Sequence, residues 1–369
     1  MSAPVFDRRA LRFAPLAERR NKVAFPADSV SPEAAPRALS ARAASAIRDT
    51  AVRIRAARQK GRPVICAFGA HTIKNGLGPV LARFIEHGWI THLATNGAGI
   101  IHDWELAFLG QTSEDVRVTV PRGEFGMWEE TGRILNLALL AGARKGLGYG
   151  QSIGALIEDE GLEIPSAAEL RSEAALLLAQ DPEKAAAAAD LLAAVREFGV
   201  PPGRMSVRHP FRQFSAQAAA HRSGVPFTGH PGIGQDIIYA HPFASGAAIG
   251  RTALVDFLRF AHAVSRLEDG VYLSVGSAVM SPMIFEKAFS MGQNIARQQG
   301  SAIRGHCILV VDIAESSWDW EKDGEPPADN AAYYLRYCKS FARMGGAMRY
   351  VAVDNRDFFL SLLHTLPLS

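Results

Sequence analysis

Short apolar runs alternate along the chain with longer stretches of helical periodicity. The run 64–68 is apolar at every position, which is typical of a strand buried on both faces. In 77–87 the apolar side chains share one helical face, and Gly88 follows as a helix terminator. Further strands are predicted at 90–95, 205–208, 225–228, 271–275, 308–312 and 350–353. Helices are predicted at 39–59, 128–144, 167–180, 182–197, 212–222, 250–266, 283–298, 329–343 and 356–364. This alternation predicts an α/β fold with a parallel sheet covered by helices on both faces.

The first 38 residues differ from the rest and are predicted to form a basic, Pro/Arg-rich N-terminal arm. Residues 1–60 hold 13 Lys and Arg against 5 Asp and Glu, although the whole chain has a net charge of only +3. A nucleic-acid-binding arm is one interpretation. The favoured one is a solvated arm that packs on a neighbouring subunit, because aromatic stacking residues are sparse there. Residues 39–369 are predicted to form a single large α/β domain, with no internal linker or repeat.

Bulk composition narrows the class of protein. With 48% hydrophobic and 21% charged residues among 369, the chain is typical of a globular protein. No apolar run approaches the roughly 20 residues that span a membrane, and no signal-like stretch begins the chain, so a cytoplasmic location is expected. Cys66, Cys307 and Cys338 lack metal-ligand spacing, and we expect no metal site.

The loops after the predicted strands carry the candidate chemistry, because ligands of parallel sheets bind beyond the carboxyl ends of the strands. Glycine in such a loop permits close backbone approach to a ligand, and amides at helix starts suit a pyrophosphate. The segment 96–99 departs from the dinucleotide fingerprint, so on its own it fits a plain turn as well as a phosphate cradle. The loops concerned are 69–76, 96–103, 229–241, 276–278 and 354–355.

Several polar residues in these loops have two interpretations. Asp354 either binds a ribose or adenine group or caps the following helix. The same choice applies to His102 and Asp103, which either face a cationic amine or begin a helix. Two interpretations also apply to four further residues, each of which is either a functional group or a structural or surface residue. They are His71, Lys74, Asp236 and His241.

In their order and spacing, five segments resemble deoxyhypusine synthase and its bacterial relatives, including homospermidine synthase-type members, over most of 60–365. They are the Thr/Gly-rich segment 95–103, the Gly-Asp segment 234–241 with its histidine five residues after the aspartate, the glycine-rich strand end 273–279, the segment 327–336 that matches the family's lysine segment, and the last strand 351–354. The resemblance implies a Rossmann-like fold that binds NAD. It also implies a homotetramer with active sites at subunit interfaces.

The family oxidises spermidine with NAD and carries the aminobutyl group as an imine on a lysine. The resemblance therefore implies a polyamine or related small-molecule amine as substrate, without nucleic acid or membrane partners. The residues implied to bind the cofactor are Thr95, Asn96, Gly97, Ala98, Gly99, Gly276, Ser277 and Asp354. Those implied or considered for substrate binding are His102, Asp103, Asp236, His71 and Lys74. His241 is the candidate for a catalytic histidine.

The reactive lysine of the family falls at Arg336, and a guanidinium stays protonated and does not form an imine. Deoxyhypusine synthesis itself is therefore not expected. Three alternatives follow. The chain transfers an aminoalkyl group directly between small amines, with Lys339 as a possible substitute one helical turn on. It runs another NAD-dependent reaction with Arg336 as an anion clamp. Or it is a non-catalytic NAD-binding or assembly protein.

Overall fold

The computed structural model describes residues 3–367, so residues 1, 2, 368 and 369 of the predicted arm and domain lie outside the described residues. The strands are β1 Asn21–Ala24, β2 Val64–Phe68, β3 His92–Asn96, β4 Gln111–Glu114, β5 Gly161–Ile164, β6 Gly203–Ser206, β7 Phe227–His230, β8 Val271–Val275, β9 Cys307–Asp312 and β10 Ala347–Ala352. The α-helices are α1 Ala41–Gln59, α2 His71–Lys74, α3 Gly78–Glu86, α4 Gly97–Leu109, α5 Val116–Thr119, α6 Glu129–Arg144, α7 Tyr149–Glu158, α8 Ala167–Leu177, α9 Pro182–Phe198, α10 Ala216–Arg222, α11 Gly246–Ser265, α12 Met280–Gln298, α13 Trp320–Asp323, α14 Cys338–Ala342 and α15 Asn355–Thr365. Short 3-10 helices cover Arg8–Ala10, Leu16–Glu18, Val120–Arg122, Arg212–Phe214, Ile237–Ala240 and Ala331–Tyr337.

A six-stranded parallel sheet has the order β7-β3-β2-β8-β9-β10. The chain enters at β2, moves through β3 to β7, and then returns to the other side of β2 as β8. The direction of winding therefore reverses between β2 and β8. In doubly wound sheets such a reversal opens a crevice at the carboxyl ends of the two strands. The predicted α/β fold with a parallel sheet is confirmed.

Strand β2 shows why the sheet is covered on both faces. Its five residues are all buried, and they alternate between two apolar cores. Val64, Cys66 and Phe68 belong to one core, and Ile65 and Ala67 to the other. Burying an aliphatic side chain of this kind contributes about 1.5–3 kcal/mol, so neither face of the strand can be left to solvent.

One predicted strand does not join the central sheet. The segment 205–208 was expected there, but β6 pairs antiparallel with β5 in a separate two-stranded sheet. Its burial explains the difference: three of the four residues of β6 are exposed, whereas the parallel strands are almost wholly buried. The apolar residues of this short run predicted a strand, but they did not indicate that the strand is not covered on both faces.

The N-terminal segment lies against its own chain. Strand β1 pairs antiparallel with β4, and Leu16 is fully buried in the main core. The Arg8 guanidinium donates hydrogen bonds to the carbonyl oxygens of Tyr239, His241 and Ala244. These contacts fix Arg8 beside the loop that follows β7.

The predicted helix over 329–343 is interrupted. A 3-10 helix ends in a kink at Leu335 and Arg336, where Arg336 has φ 48° and ψ 31°, and α14 begins only at Cys338. Left-handed backbone at non-glycine residues is uncommon, and the following Tyr337 also adopts it. Arg336 and Lys339 therefore do not lie one turn apart on a continuous helix.

Candidate functional site

The carboxyl ends of β2 and β8 meet through glycines. Gly69 donates its amide to Val275 O at 3.0 Å, and Gly276 donates to Val311 O at 2.8 Å. A β-carbon at Gly69 would lie 2.1 Å from the Gly276 carbonyl oxygen, and Gly276 has φ +58°. The bottom of the crevice at the winding reversal is therefore formed by the backbone of Gly69 and Gly276, without side chains, and we call it the glycine floor. A surface of this kind lets a nucleotide approach the main chain.

Helix α12 begins directly beyond this floor. Its N-cap residue, Val279, offers no side-chain acceptor, and the Ser277 hydroxyl accepts the Ser281 amide at 3.1 Å. The partial positive charge at the start of this 19-residue helix faces the same edge of the sheet. Gly276 and Ser277 therefore lie between the end of β8 and the start of α12, and their contact with a cofactor stays a prediction.

The predicted cofactor segment after β3 is the start of a helix. Asn96 is the N-cap of α4, and its side-chain oxygen accepts the Gly99 amide at 2.9 Å. The buried Thr95 hydroxyl donates to Phe68 O at 2.9 Å, and Gly99 leaves room for that side chain. Thr95 thus joins the ends of β2 and β3, whereas Asn96 caps α4, which begins with Gly97 and the half-buried Ala98.

Asp236 lies at the start of α4. A β-carbon at Gly97 would lie 2.3 Å from Asp236 Oδ2, and the Tyr239 hydroxyl donates to the same oxygen at 3.3 Å. Burial raises the pKa of Asp236 to about 6, and hydrogen bonds from the Gly232 amide, the Tyr239 hydroxyl and the Ala98 amide act against that rise. A carboxyl group that titrates near neutral pH at the carboxyl edge of the sheet is suited to proton exchange.

His102 is positioned by a hydrogen-bonded chain. Its Nδ1 lies 2.7 Å from the Thr112 hydroxyl, which donates its proton to Glu105 at 2.5 Å. Glu105 is buried and makes a bidentate ion pair with Arg19 at 2.8 and 2.6 Å. Because the Thr112 proton goes to Glu105, the Thr112 oxygen accepts the proton on His102 Nδ1. This arrangement assigns the proton to Nδ1 and leaves an unprotonated Nε2 on the opposite edge of the ring.

Electrostatics keep His102 neutral. Burial lowers its pKa to about 4, a fall that Glu105 partly opposes and that Lys74, Arg19 and His71 reinforce. His71 and Lys74 both lie on α2, at the end of β2, and burial lowers the pKa of each. The structure thus brings together three of the predicted substrate residues: a neutral imidazole and two further bases.

Asp103 faces away from this group. Its carboxylate is buried and accepts hydrogen bonds from the Ser215 hydroxyl at 2.5 Å, the Ala216 amide at 3.0 Å and the Gln217 amide at 3.1 Å. It therefore caps the start of α10 rather than the start of its own helix. Burial raises its pKa, although these hydrogen bonds act against the rise.

His241 lies beyond Asp236 and packs against the N-terminal segment. Its Nδ1 accepts the Phe243 amide at 3.2 Å, so the neutral ring donates from Nε2 to Glu129, also at 3.2 Å. The Phe13 ring lies 4.5 Å from the imidazole, between centroids. Burial lowers the pKa of His241, and only 4% of the residue is exposed. Its ring is therefore held on both nitrogens.

Arg336 is tied to the end of β9. Its Nε lies 3.1 Å from Asp312 Oδ1, which leaves the two terminal nitrogens of a half-exposed guanidinium available. Lys339 is turned elsewhere, with its ammonium 3.7 Å from the Tyr333 ring centroid and 4.7 Å from that of Tyr334. The predicted catalytic residues Arg336, Lys339 and His241 are thus in three different environments.

Asp354 caps α15, where its carboxylate accepts the Arg356 amide at 2.9 Å. It also lies 3.5 Å from the Arg37 guanidinium. The next residue, Asn355, accepts a hydrogen bond from Asn75 at 3.0 Å, which joins the end of β10 to the loop after β2. The helix cap is therefore present, and ribose or adenine binding by Asp354 stays a prediction.

Three contributors to this site were missed in the sequence. Arg19 comes from the arm, Thr112 from the unpredicted strand β4, and Tyr239 from a 3-10 helix. Their contacts join residues far apart in the chain, and no local spacing indicates them.

In 3–367, no group of three or more potential metal ligands is arranged to hold an ion. Over the same range, no helix has the length and apolar character needed to cross a membrane.

Comparison with known proteins gives no family assignment. No family model and no curated protein sequence matches the chain. Similar solved structures include ArgZ, an arginine dihydrolase of the cyanobacterial ornithine-ammonia cycle, at 13% identity and a TM-score of 0.42, covering 89% of this chain and 33% of that one. AgrE with ornithine and NAD⁺ has 16% identity and a TM-score of 0.43, with the same coverage. A putative LOR/SDH protein from Methanococcus maripaludis S2 has 14% identity and a TM-score of 0.44, covering 92% and 72%. This chain spans a third of the length of the ArgZ and AgrE chains, and likeness at these values identifies neither a family nor an activity.

Proposed function

We propose that this chain is an NAD-binding, transferase-type enzyme of the deoxyhypusine synthase-like group that acts on a polyamine or a related amine. The observation that carries the proposal is the glycine floor at Gly69 and Gly276, at the winding reversal between β2 and β8. Such a surface lets a cofactor of dinucleotide size approach the main chain, and the start of α12, where the N-cap residue Val279 offers no side-chain acceptor, suits its pyrophosphate. NAD would supply the hydride acceptor.

The bases beside the crevice suit the oxidation of an amine. When a carbon next to nitrogen loses a hydride, the substrate ammonium must also lose a proton. His102 offers a neutral Nε2 for that proton, because Nδ1 donates to Thr112 and the pKa of the ring is lowered to about 4. Asp236, with its pKa raised to about 6, offers a carboxylate for a substrate ammonium group.

The proposal excludes the covalent stage of deoxyhypusine synthesis. Arg336 pairs with Asp312, and Lys339 contacts Tyr333 and Tyr334, so neither is presented as a free neutral amine. A second small amine would replace the original amine at the oxidised carbon, the original amine would leave, and the hydride taken up by NAD would return to the new imine to give the product amine. The free edge of the Arg336 guanidinium favours an anionic group on one of the reactants or on the cofactor.

Assembly into a homotetramer is part of the proposal. Met283, Met291 and Ile295 on α12 are 51%, 42% and 52% exposed, and such a row of apolar side chains is suited to contact with a second subunit. Light scattering after size-exclusion chromatography should give about four times the mass of the 39.8 kDa chain. A single-chain mass at micromolar concentration would contradict this part.

The activity is tested in two steps. Thermal unfolding with NAD at 100 times its Kd should show stabilisation of about 2.7 kcal/mol. Absorbance of NADH is then followed with putrescine, spermidine and related amines, alone and in pairs, and borohydride is added to trap any protein imine. We expect NADH or a new polyamine and no trapped adduct. Absence of NAD binding would reject the proposal, and NAD binding without turnover of any amine would favour a non-catalytic protein.

A further inference from the structure

A separate recess lies at the amino ends of β2, β3 and β7, the edge of the sheet opposite the crevice. Its volume is 690 Å³, within the range of small-molecule sites. Pro63, Thr91 and Pro226, each directly before one of these strands, form one wall. Strand β2 alone separates the two edges by about 16 Å, at 3.3 Å per residue over its five residues.

The recess is lined by cationic side chains. Arg58 and Arg62 approach from the end of α1, and Arg259, His262 and Arg266 from the end of α11. No Asp or Glu is among the described residues that line it. Four guanidinium groups around one concave surface produce a positive potential that attracts anions.

Two of these arginines are held in place by other parts of the chain. Arg58 Nε donates to the Gly88 carbonyl at 2.7 Å, and Arg259 Nη1 donates to Gln151 Oε1 at 2.5 Å. By contrast, the guanidinium groups of Arg62 and Arg266 have no hydrogen-bond or ion-pair partner anywhere in residues 3–367. The recess therefore combines two fixed cations with two that are free to bind.

Nearby carboxylates have other partners. Asp256 Oδ1 lies 3.9 Å from Arg259, but its Oδ2 accepts the amides of Gly150 and Gly229. Asp269 pairs with Lys60 at 2.9 Å, on the rim outside the recess. The charge of Arg62 and Arg266 is thus not neutralised by an acidic residue of the described chain.

Apolar side chains of α11 form another part of the lining. Val255, Leu258 and Ala263 of α11 line the recess, and Leu258 is 50% exposed. An exposed leucine beside unpaired arginines is suited to a ligand with an anionic end and an apolar body.

We propose that this recess binds a small organic phosphate, with the phosphate on Arg62 and Arg266 and the apolar body against Leu258. Two unpaired guanidinium groups suit a dianion with several acceptor oxygens, because each offers two parallel donors. A concave recess of this volume fits a small molecule better than the surface of a macromolecule. The site is independent of the crevice and of the reaction proposed there.

Isothermal titration calorimetry of the full chain with phenyl phosphate tests the site. Phenol is the probe for the apolar half of the ligand, and inorganic phosphate is the probe for the anionic half. The variant is R62A/R266A, and the matched control is R171A/R196A, which removes two exposed arginines of α8 and α9. We expect phenyl phosphate to bind the native chain at least tenfold more tightly than phenol. The R62A/R266A pair should weaken it at least tenfold, and the control should change it less than twofold.

Leu258→Ala separates the apolar contact from the charge. It should weaken phenyl phosphate about threefold or more and leave inorganic phosphate unchanged. NAD binding, measured in parallel, should be the same in all variants. The proposal is overturned if R62A/R266A binds phenyl phosphate like the native chain, if the control pair loses as much affinity, or if phenol binds equally well. Binding of a polyanion such as heparin without binding of phenyl phosphate would also reject it.

Discussion

The α-carbon of Gly69 lies against the carbonyl oxygen of Gly276, so closely that a methyl group on Gly69 would come within 2.1 Å of that oxygen. Both residues also continue the hydrogen bonding of the sheet by one position, Gly69 to Val275 and Gly276 to Val311. The two strand ends therefore cannot move apart to admit a side chain without breaking these hydrogen bonds. The smooth floor of the crevice depends on this one contact.

Gly69→Ala is expected to destabilise the protein by about 1–3 kcal/mol, because the opposing atom is backbone and cannot rotate away. It should also abolish NAD-dependent thermal stabilisation. Gly250→Ala is the matched control: Gly250 lies in α11, and an added β-carbon meets no atom within 4 Å. The control should gain up to about 1 kcal/mol from helix propensity. Equal stability of both variants in urea titrations would contradict the expected contact.

His102→Asn tests the lowered pKa of the imidazole. The folded-state pKa is about 4 and the reference value 6.5, so the unfolded chain binds a proton that the folded chain does not. The stability that the neutral His102 imidazole contributes is fully present above pH 6.5 and is lost as the pH falls towards 4. From pH 7 to 5 the loss amounts to about 2 kcal/mol. Asparagine can still donate to Thr112 but does not titrate, so the variant should lose about 2 kcal/mol less than the native chain over that interval.

The same variant removes Nε2, the predicted proton acceptor. Turnover of the amine should fall at least 100-fold, as is usual for loss of a general base. Thr112→Val is the companion change, because it keeps the ring nitrogen but removes the hydroxyl that assigns the proton to Nδ1. It should lower kcat and alter the acid limb of the pH profile, whereas an unchanged profile would show that Thr112 has only a packing role.

Asp236→Asn is expected to make the protein more stable at alkaline pH. The folded-state pKa, about 6, lies above the reference value of 3.8, so the stability linked to the neutral carboxyl group is complete below pH 3.8 and is lost as the pH rises through 6. At pH 8 the variant should therefore be more stable by about 3 kcal/mol. At pH 4 the two proteins should be nearly equal, which is the internal control. A gain of the same size at both pH values would contradict burial as the cause.

Local sequence patterns predicted the parts of the fold that depend on periodicity. The apolar run 64–68 predicted β2, because a strand between two helical layers has no polar face. Glycine after several of the strands predicted where the crevice lies, since ligands approach the carboxyl edge of a parallel sheet. The misassigned run 205–208 overlaps the end of β6 at Met205 and Ser206, although its expected place in the parallel sheet was wrong.

Features that arise from long-range contacts were not predictable in this way. The break at Arg336 follows no glycine or proline, and the helix-forming residues around it gave no warning. No local pattern in the sequence distinguishes Asp103 from Glu105. In the structure, however, Asp103 caps α10 and Glu105 forms an ion pair with Arg19 of the arm. Whether a carboxylate faces a ligand therefore depends on which distant segment of the chain contacts it in the folded structure.

The Arg19–Glu105 ion pair gives a test of how strongly the N-terminal arm is joined to the site. The two side chains are 2% and 1% exposed, and Glu105 also accepts hydrogen bonds from Thr112 and Thr131. Arg19→Met would leave a buried, unpaired carboxylate, which costs about 3–5 kcal/mol.

The control for this change is Arg9→Ala, which removes an arm arginine whose pair with Glu197 is exposed, and it should cost far less stability than Arg19→Met. Adding Glu105→Gln to Arg19→Met removes the unpaired charge, so the double variant should recover part of the stability in urea titrations. The pKa of Glu105 is lowered in the native chain by Arg19 against the effect of burial. Without Arg19 the carboxyl group should take up a proton more easily, and the loss in Arg19→Met should therefore become smaller as the pH falls from 7 to 5. A loss that stays constant with pH, or is no larger than that of Arg9→Ala, would mean that packing of the arm, and not this charge pair, holds His102 and its hydrogen-bonded chain in position.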